Sequence, residues 1–161
     1  MLGADVTWSP ERVVSFFGDD VSGENRHRHV LWYGFGLVEF SWERASRDRP
    51  WSGHHLSVQA HRLTHGVTPE PALVERYGPF SGPVAFDDVA AELERRGVEL
   101  VERAGTDADI REYWQPKSFT SVLVVVGADY GNPGDVYSLS SPMFVTPESR
   151  ESELFRTLHG A

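Results

Sequence analysis

Two stretches of this chain carry apolar residues at successive positions, and a third alternates. From Val30 to Trp42 (VLWYGFGLVEFSW) both alternating faces are apolar: Val30, Trp32, Val38, Phe40 and Trp42 on one, Leu31, Tyr33, Phe35 and Leu37 on the other. Such a run predicts a central strand covered on both sides. Gly34 and Gly36 within it mark a bulge or a close backbone approach. Glu39 shares a face with Leu37 and Ser41, which aims its carboxylate into a partly buried site. Ser118 to Ala128 (SFTSVLVVVGA) predicts a second buried strand. His54 to Thr64 alternates instead, with Leu56, Val58 and Ala60 opposite His55, Ser57, Gln59 and His61. It predicts a half-buried strand in an antiparallel hairpin with the first.

Helical signals lie between and around these strands. Ser9-Pro10 caps and opens a short helix with Val13, Val14, Phe16 and Phe17 on its apolar side and Gly18 as its stop. Asp19 to His29 reads as a polar loop. Pro71 to Tyr77 reads as a short helix. Asp87 to Arg96 (DDVAAELERR) has an aspartate at the cap, Val89, Ala90 and Leu93 toward a core, and Gly97 as the stop. Val98 to Val101 and Val136 to Leu139 read as strands on either side of Ser118–Ala128. Residues 107–116 fit strand or loop, Gly131 to Gly134 is a turn, and Thr146-Pro147 opens a final helix. Strands come in hairpin-like groups rather than βαβ alternation. The expectation is one α+β domain over residues 1–161, with helices packed on a largely antiparallel sheet.

At 161 residues, with 40% apolar and 24% charged residues, the chain fits one globular domain with a real core. The absence of cysteine excludes disulfides, thiolate metal sites and cysteine catalysis. The first residues, MLGADVTWSPERVV, lack the basic start and apolar run of a signal peptide, and no apolar run is long enough to span a bilayer. The expected location is the cytoplasm.

The formal net charge of −9 is unevenly spread. Residues 1–25 hold five acids against one arginine, and residues 86–112 hold nine acids against four arginines. Residues 26–65 reverse the balance, with six arginines against three acids. An acidic protein repels phosphate backbones, so a nucleic-acid partner is not expected. A basic protein partner would be attracted and would associate faster.

Signatures of catalysis are missing. The seven histidines (27, 29, 54, 55, 61, 65 and 159) include no H-E-x-x-H and no other familiar ligand spacing, so no metal is expected. Gly34-x-Gly36 lacks the third glycine of a dinucleotide fingerprint, and no G-x-S-x-G occurs. No cofactor and no catalytic residue is assigned. The acid pairs Asp19-Asp20, Asp87-Asp88 and Asp107-x-Asp109 read as a helix start or as solvated loops.

Two functional classes follow. In the first the chain binds a protein. Its interface would combine acids with aromatic anchors: Asp107, Asp109 and Glu112 beside Tyr113 and Trp114, with Trp51 in its arginine-rich turn as a further anchor. In the second, a small enzyme or ligand-binding domain uses the polar hairpin face, with Glu39, His55, Gln59 and His61 as acid/base or ligand groups. The segments YGFGLVEFSW (Tyr33–Trp42), LSVQAHRL (Leu56–Leu63) and GDVYSLSSP (Gly134–Pro142) resemble the central hairpin and a later strand of small actinobacterial immunity proteins, the partners of polymorphic toxins. The resemblance covers about a quarter of the chain and is one of residue types. It implies toxin neutralisation by surface occlusion, with no catalytic residue to carry over; the acidic segments and the lack of catalytic signatures are what point to a basic, nuclease-like toxin as the partner.

Overall fold

The structure, a computed structural model, describes residues 3–18, 21, 23–103 and 107–140. Helix α1 (Pro10–Phe17) starts where Ser9 Oγ accepts the Arg12 N–H at 3.3 Å, and it ends at Gly18. Four strands follow: β1 (Gly23–Arg26), β2 (Val30–Phe35), β3 (Val38–Glu43) and β4 (Ser52–Val58). A 3-10 helix (Ala60–His65), α2 (Pro71–Tyr77) and α3 (Phe86–Arg95) lead to β5 (Val101–Arg103), β6 (Ile110–Gln115), β7 (Thr120–Val125) and β8 (Val136–Ser140). All eight strands form one antiparallel sheet in the order β1-β2-β3-β4-β8-β7-β6-β5. The fold is a single-domain α+β arrangement, as the grouping of strands predicts.

The run Val30–Trp42 is not one strand but a hairpin. Gly36 takes a positive φ of 54°, and the chain reverses over Gly36 and Leu37 so that Phe35 pairs with Val38. A two-residue connection of this kind favours glycine, because an L side chain rarely adopts that conformation. A Cβ on Gly36 would also stand about 3 Å from the Glu70 carboxylate. The reversal puts Leu31, Tyr33 and Phe35 on the same face as Trp42, Phe40 and Val38. The two apolar faces of the expected strand thus become one face of two strands. Both β3 and β7 are interior strands of the sheet.

Directly opposed residues share a face. One row crosses six strands as Phe35, Val38, Val58, Leu139, Val122 and Tyr113. Helices α1 and α3 both pack on this face. Phe17 lies 5.2 Å from Phe35 between ring centres, and Phe86 stacks on Tyr113 at 4.2 Å. The first core gathers Val13, Leu31, Phe35, Val38, Phe40, Trp42 and Leu73, while a second gathers Ala60, Val122, Val124 and Val136.

Other boundaries differ from expectation. Asp19–His29 is not all loop, since Gly23–Arg26 pairs with β2 as an outer strand. The alternation of His54–Thr64 continues as a strand only to Val58, and the 3-10 helix then ends at Gly66 in the left-handed region. Helix α3 is capped by Ala85 without a side-chain bond, so Asp87 and Asp88 occupy its first turn instead. Its first N–H, that of Phe86, is satisfied by Gly134 O at 2.9 Å. The strand expected at Val98–Val101 starts at Val101, and the ambiguous 107–116 contains β6. The helix expected from Thr146 lies outside the described residues.

Gly53, where β4 meets the irregular pairing of Ser41 and Trp42, has a sharper requirement. A Cβ there would lie 1.4 Å from the Val6 carbonyl oxygen. Gly53→Ala must therefore displace backbone, and it is expected to destabilise the fold by about 1–3 kcal/mol. A lowered melting temperature checks this; an unchanged one would mean that the Val6 segment yields freely.

Candidate functional site

The opposite face of the sheet is polar along its centre. Glu39, Ser57, Ser140, Ser121 and Trp114 stand opposite one another across β3, β4, β8, β7 and β6. Glu39 is the most heavily bonded of them. Its carboxylate is held by the Arg62 guanidinium and accepts from Gln59 Nε2 at 2.9 Å. Gln59 also donates to Ser57 Oγ at 2.8 Å, and Arg62 donates to Gly36 O at 2.8 Å. Chemically this is a satisfied ion pair that ties the 3-10 helix to the β2–β3 turn.

The two histidines of the ligand-binding set do not join that cluster through hydrogen bonds. His61 lies flat on Tyr137, 4.1 Å away and within 4° of parallel, with Nδ1 at 3.1 Å from Tyr137 O. Nδ1 therefore carries the proton and donates to that carbonyl. Burial lowers the His61 pKa, the bond to Tyr137 opposes this, and Arg62 and His65 lower it further. His55 follows a second row, opposite Ser41 and through it Trp32. Burial lowers its pKa, the charge of His54 adds to this, and Glu39 opposes it. Its Nδ1 is buried without a hydrogen-bond partner, as is the indole Nε1 of Trp114. Glu39 and Gln59 thus meet directly, whereas His55 and His61 feel Glu39 only through its charge.

The residues of the protein-binding set are distributed over three surfaces. Asp107 accepts the Asp109 N–H at 2.8 Å and the Tyr130 hydroxyl at 3.0 Å. That hydroxyl bond holds the Tyr130 pKa above its ordinary value. Asp109 lies against Gly127, where a Cβ would collide with its carboxylate. Glu112 and Trp114 stand on the polar face. Glu112 accepts from Ser121 Oγ at 2.7 Å, and Arg103 lies 3.9 Å from it. The Arg103 guanidinium covers the Trp114 ring at 4.9 Å, and Phe119 meets that ring edge-on at 5.9 Å. Tyr113 points to the other face and packs on Phe86. Trp51 is half-buried against the first core beneath the Arg44 guanidinium, 4.2 Å from its ring centre.

Sequence reasoning missed Arg62, Tyr130, Tyr137 and Phe119. Phe119 takes a positive φ of 55° in the β6–β7 turn, which is uncommon for an aromatic residue. Arg62 falls within a stretch whose alternation reads as strand to Thr64, and Tyr130 stands between the Ser118–Ala128 strand and the Gly131–Gly134 turn, where no sequence signal singles it out.

Strand directions separate charge along the sheet. The turns joining β1 to β2 and β3 to β4 lie at one end, and they carry Arg28, Arg44, Arg47 and Arg49 against Asp48. Since β4 and β8 are antiparallel, the start of β8, the end of β7 and the start of β6 all lie at the other end. There the described residues 107–109 and 126–135 carry Asp107, Asp109, Asp129 and Asp135 and no lysine or arginine. Asp87 and Asp88 adjoin them, because Ala85 bridges to Asp135. Tyr130 and Val126 are exposed among these acids.

No family model, no curated protein and no solved structure matches this chain. Among the described residues no group of three or more histidine, aspartate or glutamate side chains is placed to hold a metal ion, and no helix is long and apolar enough to cross a membrane.

Proposed function

We propose that this chain is a non-catalytic protein-binding domain of the immunity type, which neutralises a basic, nuclease-like toxin by covering its working surface. The observation that carries the reading is the acidic end of the sheet, where loops free of lysine and arginine surround the exposed Tyr130 and Val126. Unbalanced acids steer a basic partner toward contact, and an exposed aromatic supplies affinity once water is expelled. The tied carboxylates of Glu39 and Glu112 support the same reading, since each is already engaged by arginine and hydrogen bonds.

The direct test is co-expression with the product of the neighbouring open reading frame. Rescue of growth and a co-eluting complex are expected; growth arrest with no complex would refute the reading. Within such a complex, Asp107→Asn with Asp129→Asn is expected to slow association several-fold and flatten its dependence on salt. Tyr130→Ala is expected to speed dissociation instead. Stopped-flow and surface-binding kinetics on the same variants separate these effects, and unchanged rates for both would remove this end of the sheet as the interface.

A second reading, small-ligand binding on the polar face, is favoured by the unpartnered nitrogens of His55 and Trp114. Buried polar atoms of this kind are commonly satisfied by something. Selective perturbation of the His55 and Trp114 NMR signals in a metabolite screen would favour it over protein binding.

A further inference from the structure

The topology repeats although the sequence does not. Helix α1 is followed by β1 to β4, running inward from one edge of the sheet, and α3 is followed by β5 to β8, running inward from the other. The two sets meet where β4 pairs with β8 at Ser57↔Ser140 and Val58↔Leu139. Each set has its own core, the first under α1 and the second under α3.

The 3-10 helix sits at this seam, directly after β4, and its successive residues engage different halves. Ala60 is buried in the second core. His61 stacks on Tyr137 of β8 and donates to its carbonyl. Arg62 turns back to the first half, bonding Gly36 O and pairing with Glu39 of β3. Leu63 packs against the first core. Four consecutive residues therefore grip both sides of the joint, in the order second, second, first, first.

We propose that the 3-10 helix is a clasp that makes two separately packed half-sheets open as one cooperative unit. Contacts within a half involve four consecutive hairpin-connected strands and form locally. Among the described residues, contacts between halves include the β4–β8 pairing and these side chains. Regions that share few coupling contacts open independently, and hydrogen exchange resolves such units. Breaking the clasp should therefore separate the opening of one half from that of the other. The second half should open first, because among the described residues its buried core is smaller.

The test is native-state hydrogen exchange, resolved by peptide, on the full chain and on His61→Ala/Arg62→Ala. In the unaltered chain, amides of β2 and β3 and amides of β6 and β7 are expected to exchange through a common global opening. In the double variant, β6 and β7 should exchange at least tenfold faster than β2 and β3. A common rate in the folded double variant would overturn the proposal, and so would rates already split in the unaltered chain. If the double variant does not fold, His61→Phe is read in the same way. It keeps an aromatic ring on Tyr137 and removes only the Nδ1 bond, so a smaller split of the same sign is expected. No split would overturn the clasp.

Discussion

Replacing Trp42 by alanine is expected to cost about 3–5 kcal/mol of stability, the largest single effect in the molecule. Trp42 is 1% exposed, stacks on Phe40 with ring centres 5.9 Å apart, and meets Tyr33 edge-on at 5.6 Å. Its indole Nε1 also donates to Trp8 O at 2.7 Å, which ties the segment before α1 to β3. Truncation removes the ring from the first core, leaves a cavity under α1 and takes the donor from a part-buried carbonyl. Domains of this size are commonly stable by about 5–15 kcal/mol, so the loss is a large share of the whole. Trp42→Phe keeps most of the apolar contact and loses the hydrogen bond. It is expected to cost less, about 1–3 kcal/mol. Denaturant unfolding of both variants measures the two contributions. A loss below about 1 kcal/mol for Trp42→Ala would show that the first core can collapse around the missing ring.

The second large effect concerns Glu39 and Arg62. Removing Arg62 alone leaves a carboxylate whose side chain is only 12% exposed, with the Gln59 amide still bonded to it. Breaking a fully buried pair costs roughly 3–5 kcal/mol. The Arg62 side chain here is 25% exposed, so solvent relieves part of that, and about 2–3 kcal/mol is expected for Arg62→Ala. Glu39→Gln with Arg62→Met removes both charges and keeps similar volume. It is expected to recover more than half of the loss, because an unpaired buried charge and not the missing attraction dominates the single variant. Equal destabilisation by the single and double changes, measured by urea unfolding, would show instead that the Arg62 bond to Gly36 O carries the effect.

These two sites show how differently the parts of the molecule announce themselves. Trp42 belongs to a run in which nearly every residue is apolar, so its burial follows from composition alone. The Glu39–Arg62 pair joins a strand to a 3-10 helix 23 residues later. Glu39 could be picked out because an acid on an apolar strand must find a partner. Its partner could not, because Arg62 was assigned to an extending strand that in fact ends at Val58. The candidate interface divides in the same way. Asp107 and Asp109 were legible as unbalanced acids, whereas Tyr130 joined them only through a hydroxyl bond across the β5–β6 and β7–β8 loops.

By itself the sequence determined the class of fold, the short helices with their proline starts and glycine stops, and the identity of the buried strands. These follow from local periodicity and from the conformational limits of proline and glycine. The tertiary structure decided how those strands face one another. An unbroken apolar run has the same pattern whether it is one strand covered on both sides or two strands folded about a turn, and a single glycine at positive φ chose the second. That reversal placed the apolar residues of β2 and β3 on one face, left Glu39 on the other, and brought its turn within reach of Arg62. The pairing of β4 with β8 then joined two similar halves and set acidic loops at one end of the sheet and arginine-rich turns at the other. Contacts between residues far apart in the chain carry no local period, so only the folded sheet brings them together.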